Sequence, residues 1–318
     1  HTDTVTVPDA SLWKSDPFAP VIRHGRLYGR GAADDKGSVA AMVYAGGLLA
    51  AAQKHIPKDA GNFTLLVSAS SREEIGETQW LDFIVKKLKF KPDFVVIGEP
   101  SALKIIVGHK GRAEFKISAG GKSVHASVPA EGINAVHKAS WLINKISSLN
   151  LRYKSGLLGK PVISVTKIQT PLNSSINTIP DRCEFYVDRR TIETESRQSV
   201  RREIENILAR RPRKGTARIE YFKFYSPWIM DKKHPLVHAA VSAFHSVFKK
   251  NSSPEVVTWP FCTNGSFTMG ERGIPTIGFG PGEETEAHII DESIPIKEIF
   301  KAVDFYRKLP YEISALID

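Results

Sequence analysis

Five widely spaced residues in this 318-residue chain have the types and contexts of ligands for one two-metal hydrolytic site: His1, Asp34, Glu74, Glu99 and His288. The chain opens His-Thr-Asp-Thr-Val, so on a strand end His1 and Asp3 point to the same side, one able to bind a metal while the other supports it. Asp34 lies in Leu27-Tyr-Gly-Arg-Gly-Ala-Ala-Asp-Asp-Lys-Gly37, where three glycines permit a tight backbone path just before a long apolar run. Glu73 and Glu74 stand side by side beyond the strand-like Phe63-Thr-Leu-Leu-Val-Ser-Ala69. Neighbouring side chains diverge there, so one carboxylate can ligate while the other handles protons. Glu99 ends the strand-like Asp93-Phe-Val-Val-Ile-Gly-Glu-Pro100, and His288 follows the glycine-rich Gly278-Phe-Gly-Pro-Gly282. Ligands at strand ends are what an open α/β sheet offers, because crevices form there.

Two imidazoles and three carboxylates suit zinc, with cobalt or manganese able to exchange, better than a thiol-preferring metal. Taken singly, each acidic residue reads as a helix cap or a solvated surface group, and a histidine as a structural one. His24, His55, His109, His137, His234, His238 and His245 keep that structural reading.

The combination is more specific. His1-Thr-Asp3, Gly29-Arg-Gly-Ala-Ala-Asp34 with Lys36-Gly37, Glu73-Glu74, Gly98-Glu99-Pro100 and Ala287-His288 resemble the acetylornithine deacetylase and succinyl-diaminopimelate desuccinylase family. Glutamate carboxypeptidases and aminoacylases belong to the same family. The resemblance runs from the first residue to about residue 310. It implies two zinc ions per chain bridged by Asp34, with His1 and Glu99 completing one site and Glu74 and His288 the other. Asp3 would orient His1 through its second ring nitrogen. Glu73 would be the general base, taking a proton from a water whose pKa a metal lowers to about 7, and returning it to the leaving amine. Two cations about 3.5–4 Å apart can also steady the charge that develops on the carbonyl oxygen.

Further matches lie mid-chain. Gly120-Gly-Lys-Ser-Val-His-Ala-Ser-Val-Pro129 with Gly132-Ile-Asn-Ala-Val136 looks like the family's lid segment, which implies His125 as a donor to the tetrahedral oxyanion, supplied across subunits in dimeric relatives. Asn177-Thr-Ile-Pro180 and Asp188-Arg-Arg190 imply Asn177 at the reacting end and Arg190 as a bidentate clamp on the substrate's α-carboxylate. A strand-face salt bridge is the plainer reading of Arg190. Phe261-Cys-Thr-Asn-Gly265 resembles a loop beside the metals, with Thr263 able to touch substrate, although Asn-Gly also suits a simple turn before a helix.

The elements that must position these groups can be read from the pattern. The spacing predicts a helix over Lys36–Gln53, a strand over 63–69, a helix over Gln79–Leu88 and a strand over 94–98. The same rhythm returns with a helix over 236–249, a strand over 275–279 and a helix over 295–308. It indicates a mixed, largely parallel α/β sheet covered by helices. Between these halves, strands at 113–118, 162–168, 183–189 and 217–222 surround helices at 133–147 and 195–209. That β-α-β-β-α-β order is the ferredoxin-like α+β plan. Residues 1–107 and 223–318 thus form a catalytic domain, and 108–222 an inserted lid and dimerisation domain hinged near Val107–Lys110 and Phe222–Ser226. Closure would expel water and bring His125 and Arg190 towards the metals.

A formal charge of +10 admits nucleic-acid binding as a rival, yet the densest basic run, Arg210 to Lys214, follows a helix without interleaved aromatics and reads as a solvated turn. The excess charge instead suits anionic small molecules. Two cysteines, Cys183 and Cys262, make no disulfide framework, and no signal peptide or membrane-length apolar run is present, so the sequence points to the cytoplasm. Family members carry several tens of residues before the histidine matched by His1. The chain is therefore expected to be a fragment, a truncated product or numbered from a processed start, and His1 to be prone to fraying. The expected activity is deacetylation of N-acyl amino acids by a homodimer. Dipeptidase or carboxypeptidase action, or an inactive homologue that binds or dimerises, are the alternatives.

Overall fold

The computed structural model describes residues 1–52, 63–76, 85–87, 89–171, 175–210, 214–248 and 252–315. In chain order its strands and longer helices are β1 (Val21–Arg23), β2 (Arg26–Tyr28), α1 (Gly37–Ala52), β3 (Val95–Ile97), β4 (Ile105–His109), β5 (Gly111–Gly120), β6 (Val124–His125) and α2 (Ala135–Ser147). Then follow β7 (Val162–Gln169), β8 (Thr178–Ile179), β9 (Arg182–Thr191), α3 (Arg197–Ala209), β10 (Thr216–Tyr225), β11 (Trp228–Ile229), α4 (Pro235–Val247), β12 (Val256–Trp259), β13 (Thr276–Gly278), β14 (Ser293–Pro295) and α5 (Ile296–Ser314).

The chain divides into two compact units: His1–Gly108 with Ile229–Trp259 and Thr263–Asp318, and His109–Trp228 with Pro260–Cys262. In the first unit β13 lies between β3 and β4, parallel to β3 and antiparallel to β4, while β12 also pairs with β4. The sheet is therefore mixed. Helix α5 packs against both α1 and α4. Phe279, just beyond β13, stacks on Phe305 of α5 with centroids 3.6 Å apart, and the Tyr306 hydroxyl donates to the Phe279 carbonyl. Trp259 fixes the end of β3 from the other direction, its Nε1 donating to the Pro100 carbonyl at 2.9 Å. A smaller antiparallel sheet, β1-β2-β14, frames the loop that carries Asp34.

The second unit has the connectivity β5-α2-β7-β9-α3-β10 and the antiparallel sheet order β10-β5-β9-β7, which is the ferredoxin-like plan. Alternation sets its core: Ala113, Phe115, Ile117 and Ala119 of β5 and Cys183, Phe185 and Val187 of β9 turn inwards, against Leu142 and Ile146 of α2 and Ile204 of α3. Both helices start on side-chain caps. The Asn134 carboxamide accepts from the Val136 and His137 amides, and Ser196 and Ser199 cap one another reciprocally.

The structure departs from the sequence reading in several places. Residues 63–69 form no ladder and are mostly exposed, tied at the far end where the Ser70 carbonyl accepts from the Thr2 amide (2.7 Å) and hydroxyl (2.9 Å). Their apolar composition suits a strand, but no neighbouring strand among the described residues completes the backbone bonds. Residues 107–109 finish β4 and 222–225 finish β10, so most of the two expected hinges is strand. Helix α5 continues past the expected stop, through Pro310 to Ser314. Most of the helix expected over 79–88 and of the basic run 210–214 lies outside the described residues. No helix among the described residues is long and apolar enough to cross a membrane.

Candidate metal centre

Seven of the expected site residues, His1, Asp3, Asp34, Glu73, Glu74, Glu99 and His288, belong to the first unit. Asp34 sits at their middle. Its loop is closed by the Lys36 amide donating to the Gly31 carbonyl at 3.0 Å, and the Asp34–Asp35 peptide is cis. Gly31 is required there: its φ is +82°, and a Cβ would meet Thr4 Cγ2 at 2.5 Å.

From this loop the Asp34 carboxylate reaches two imidazoles, one with each oxygen. Oδ1 lies 2.9 Å from Nε2 of His1, and Oδ2 lies 3.1 Å from Nε2 of His288. His1 Nε2 is also 3.9 Å from Glu73 Oε2 and from Glu99 Oε1, and His288 Nε2 is 3.2 Å from Glu74 Oε1. Donor atoms of His1, Asp34 and Glu74, and likewise of His1, Glu73 and Glu99, lie within 4.8 Å of one another.

Local structure explains how each arrives. The turn at Glu73 and Glu74 is gripped by Asp3, whose two carboxylate oxygens accept the Glu73 and Glu74 amides, both at 3.2 Å. Against His1 it presents chiefly its main chain: Nδ1 is 2.8 Å from the Asp3 carbonyl and 3.5 Å from its Oδ1. Either contact leaves Nε2 directed at Asp34. Glu99 follows β3 and is buried; a Cβ on Gly280 would sit 2.2 Å from the Glu99 carbonyl, so glycine is what lets the two segments touch. His288 stands half exposed in left-handed backbone, φ +64°. Its loop is pinned by Arg26 to Glu286 (3.1 Å) and by the Lys14 amide to Asp291 (2.9 Å).

So many buried carboxylates disfavour their own ionisation. Burial pushes Glu73 up to about 8, with Asp34, Glu74 and Asp3 adding to the rise, and it pushes Glu99 and Asp35 well above the usual carboxylate range. Burial opposes ionisation of Asp34 as well, yet the hydrogen bonds from His1 and His288 override it and hold Asp34 at about 2. The same bonds work in reverse on the imidazoles. His1 rises to about 11 against the effect of burial, through Asp34 and the fields of Glu99 and Glu73, and His288 rises to about 10 through Asp34 and Glu74. The cluster thus favours positive charge at its centre, at the two imidazoles. A pair of divalent cations is a chemically matched replacement for that positive charge, and imidazole plus carboxylate is a donor set that zinc, cobalt and manganese accept.

Thr263 is also in the first unit and buried, its hydroxyl accepting from the Gly265 amide at 3.0 Å in the turn before residues 266–271. The remaining expected residues lie in the second unit. His125 ends β6 of the small β6–β8 sheet and Asn177 immediately precedes β8, where the Ala126 amide donates to the Asn177 carbonyl at 2.8 Å. His125 Nδ1 accepts from the Ser127 amide (3.2 Å), and the Ser175 hydroxyl meets Asn177 Oδ1. Arg190 donates from Nε to Asp188 Oδ1 at 2.7 Å, and Arg112 shares that carboxylate through Oδ2, also at 2.7 Å. Two buried residues escaped the sequence reading, Arg30 and Glu292, which bond at 2.7 Å behind the Asp34 loop. An acidic residue four positions after a histidine carries no local signal of such a task.

Comparison with known proteins agrees with this geometry. The profile of peptidase family M20/M25/M40 matches residues 1–312. The uncharacterized protein YgeY of Escherichia coli (strain K12) is 31% identical over 98% of this chain and 78% of its own length. Acetylornithine deacetylase of Buchnera aphidicola subsp. Schizaphis graminum is 28% identical over 97% and 78%. In fold, the chain is similar to the M20 family metallo-carboxypeptidase Sso-CP2 from Sulfolobus solfataricus, with a TM-score of 0.80 at 20% identity over 98% of this chain and 83% of that one. Carried by a match that spans nearly its whole length, the chain belongs to peptidase family M20/M25/M40 and is a metal-dependent hydrolase acting on amide bonds.

Proposed function

We propose that the chain is a dinuclear zinc enzyme that removes the acyl group from N-acyl amino acids. The observation that carries the reading is the single Asp34 carboxylate with one imidazole on each oxygen, each imidazole flanked by further carboxylates. His1 and Glu99 would hold one cation, Glu74 and His288 the other, with Asp34 between them. When bound, such cations make water acidic enough to attack near neutral pH and polarise the amide carbonyl.

The chain's own groups do the rest. Glu73, half-buried beside this cluster, takes the proton of the attacking water and delivers it to the departing nitrogen. Asp3 keeps Glu73 and Glu74 diverging by holding both amides. In the second unit, which we read as the lid and the homodimerising part, His125 and Asn177 would meet the reacting carbonyl and Arg190 the α-carboxylate. Thr263 would contact substrate from its turn. Support for the deacetylase preference comes from the Trp259-Pro-Phe-Cys-Thr-Asn-Gly265 and Gly108-His-Lys-Gly-Arg112 segments and from the acetylornithine deacetylase relative.

The test is metal stoichiometry on protein purified without chelator, together with cleavage of a panel of N-acetyl amino acids and dipeptides. About two zinc per chain with turnover of the acetylated compounds is the expected result. Turnover confined to dipeptides would move the substrate class. One metal or none, with no turnover after adding zinc or cobalt, would overturn the reading in favour of a binding protein.

A further inference from the structure

The side chain of Asp34 is committed to two imidazoles, so its backbone has to be anchored from elsewhere. That anchor is Glu292, fully buried and four residues beyond His288. Its Oε1 accepts the amides of Ala33 (2.9 Å) and of Asp34 itself (3.0 Å). Its Oε2 accepts Nη1 of Arg30 at 2.7 Å, and its main-chain carbonyl accepts the Gly29 amide at 3.0 Å. Arg30 is buried in turn, its Cζ 5.1 Å from the centre of the Trp13 ring.

A carboxylate closed on one side by two amides and on the other by a guanidinium has little freedom to rotate, and charge-assisted bonds of this kind are among the stronger ones. We propose that Glu292 is a positioning residue for Asp34, and that Arg30, backed by Trp13, keeps Glu292 aimed. The segment that supplies His288 then also sets the backbone of the carboxylate to which that imidazole bonds. Displacing Glu292 would disturb both proposed cation sites at once, because Asp34 is common to them. The proposal rests on the dinuclear reading above.

Glu292→Gln is the discriminating variant. It preserves size and can still accept the two amides, but it turns an NH2 group towards the donors of Arg30. Zinc affinity, measured by competition with a chromogenic chelator, should fall about ten- to a hundredfold. The visible spectrum of the cobalt-loaded protein should change, and amides of residues 29–37 should exchange hydrogen faster in metal-free protein. A folded Glu292→Gln protein with wild-type zinc affinity, cobalt spectrum and exchange overturns the proposal. Should that variant fail to fold, Arg30→Lys carries the same three measurements, since it keeps a cation beside Glu292 but loses the planar fork. It should show a smaller shift in the same direction, and wild-type behaviour overturns the proposal equally. A wild-type chain that binds no zinc defeats the dinuclear reading instead, and the exchange of residues 29–37 then decides the role of Glu292 alone.

Discussion

Glu73 and Glu74 are adjacent in sequence and are assigned opposite tasks, which makes them the sharpest pair to separate. Replacing Glu73 by Gln removes a proton acceptor and leaves the Asp34, Glu74 and Glu99 oxygens in place. Zinc content should stay at the wild-type value while kcat falls by about 10²–10⁴. Retained turnover would remove Glu73 from the mechanism. Proton bookkeeping gives a second prediction. In the metal-free protein His288 holds its proton up to about 10 and His1 up to about 11, and a metal ligand must be deprotonated. Loading zinc near neutral pH should therefore release protons, and apparent affinity should rise with pH. Calorimetric titration in buffers of different ionisation enthalpy measures the number released. Asp34, Glu99 and His288 were legible as candidates because each follows a strand or a glycine-bearing loop, whereas His1 and Glu74 follow no strand in the structure and stood out chiefly through the family resemblance. Glu292 and Arg30 were not, because what they hold is backbone, and an amide donor leaves no trace in residue type.

At the scale of elements, two substitutions probe how the strands deliver their cargo. Gly280 permits contact with the end of β3: an added methyl would overlap the carbonyls of Glu99 (2.2 Å) and Gly98 (2.5 Å), both rigid backbone. Gly280→Ala should cost about 1–3 kcal/mol in urea unfolding, as overpacking does, and weaken zinc binding through Glu99. In the second unit Glu184 of β9 ties three strands together, accepting from Gln169 of β7 (3.1 Å), from Lys116 of β5 (3.0 Å) and from Arg182. Although burial works the other way, these bonds hold its carboxyl down to about 2 from an ordinary 4.5. A depressed folded-state pKa means stability that is fully present above about 4.5 and lost as pH falls towards about 2. Glu184→Gln should therefore lower the unfolding midpoint near pH 7, with the difference from wild type vanishing at about pH 2. The long alternating strands of this unit and its capped helices could be read from period alone. β1, β2 and β14 could not: three residues show no period, and unlike Phe94-Val-Val-Ile97 at β3 no unbroken apolar run marks them. β4 hid for a different reason. Its five residues are all buried, so the run Ile105-Ile-Val-Gly-His109 shows no alternation and reads as a connection.

Among the described residues each unit has its own core: Phe279 stacked on Phe305, with a small cluster of Ala32, Ala33 and Ile294, in the first, and the β5–β9 face with its two helices in the second. Two cores in one chain argue against a single all-or-none transition. Because every assigned metal ligand lies in the first unit, zinc should raise one calorimetric transition and leave the other where it was. A uniform shift of both would show the units unfolding as one. The order of strands has its own consequence for how the protein is made. β3 and β4 are separated by only seven residues of chain, yet in the finished sheet they do not touch: β13, built from residues 276–278, runs between them. During synthesis the ribosome delivers both flanking strands first and then the whole 109–228 unit before the strand that joins them. Until then each bears an unpaired edge of the kind that recruits strands from other molecules. The sheet of the first unit is thus closed late, by one three-residue strand that arrives after both of its neighbours.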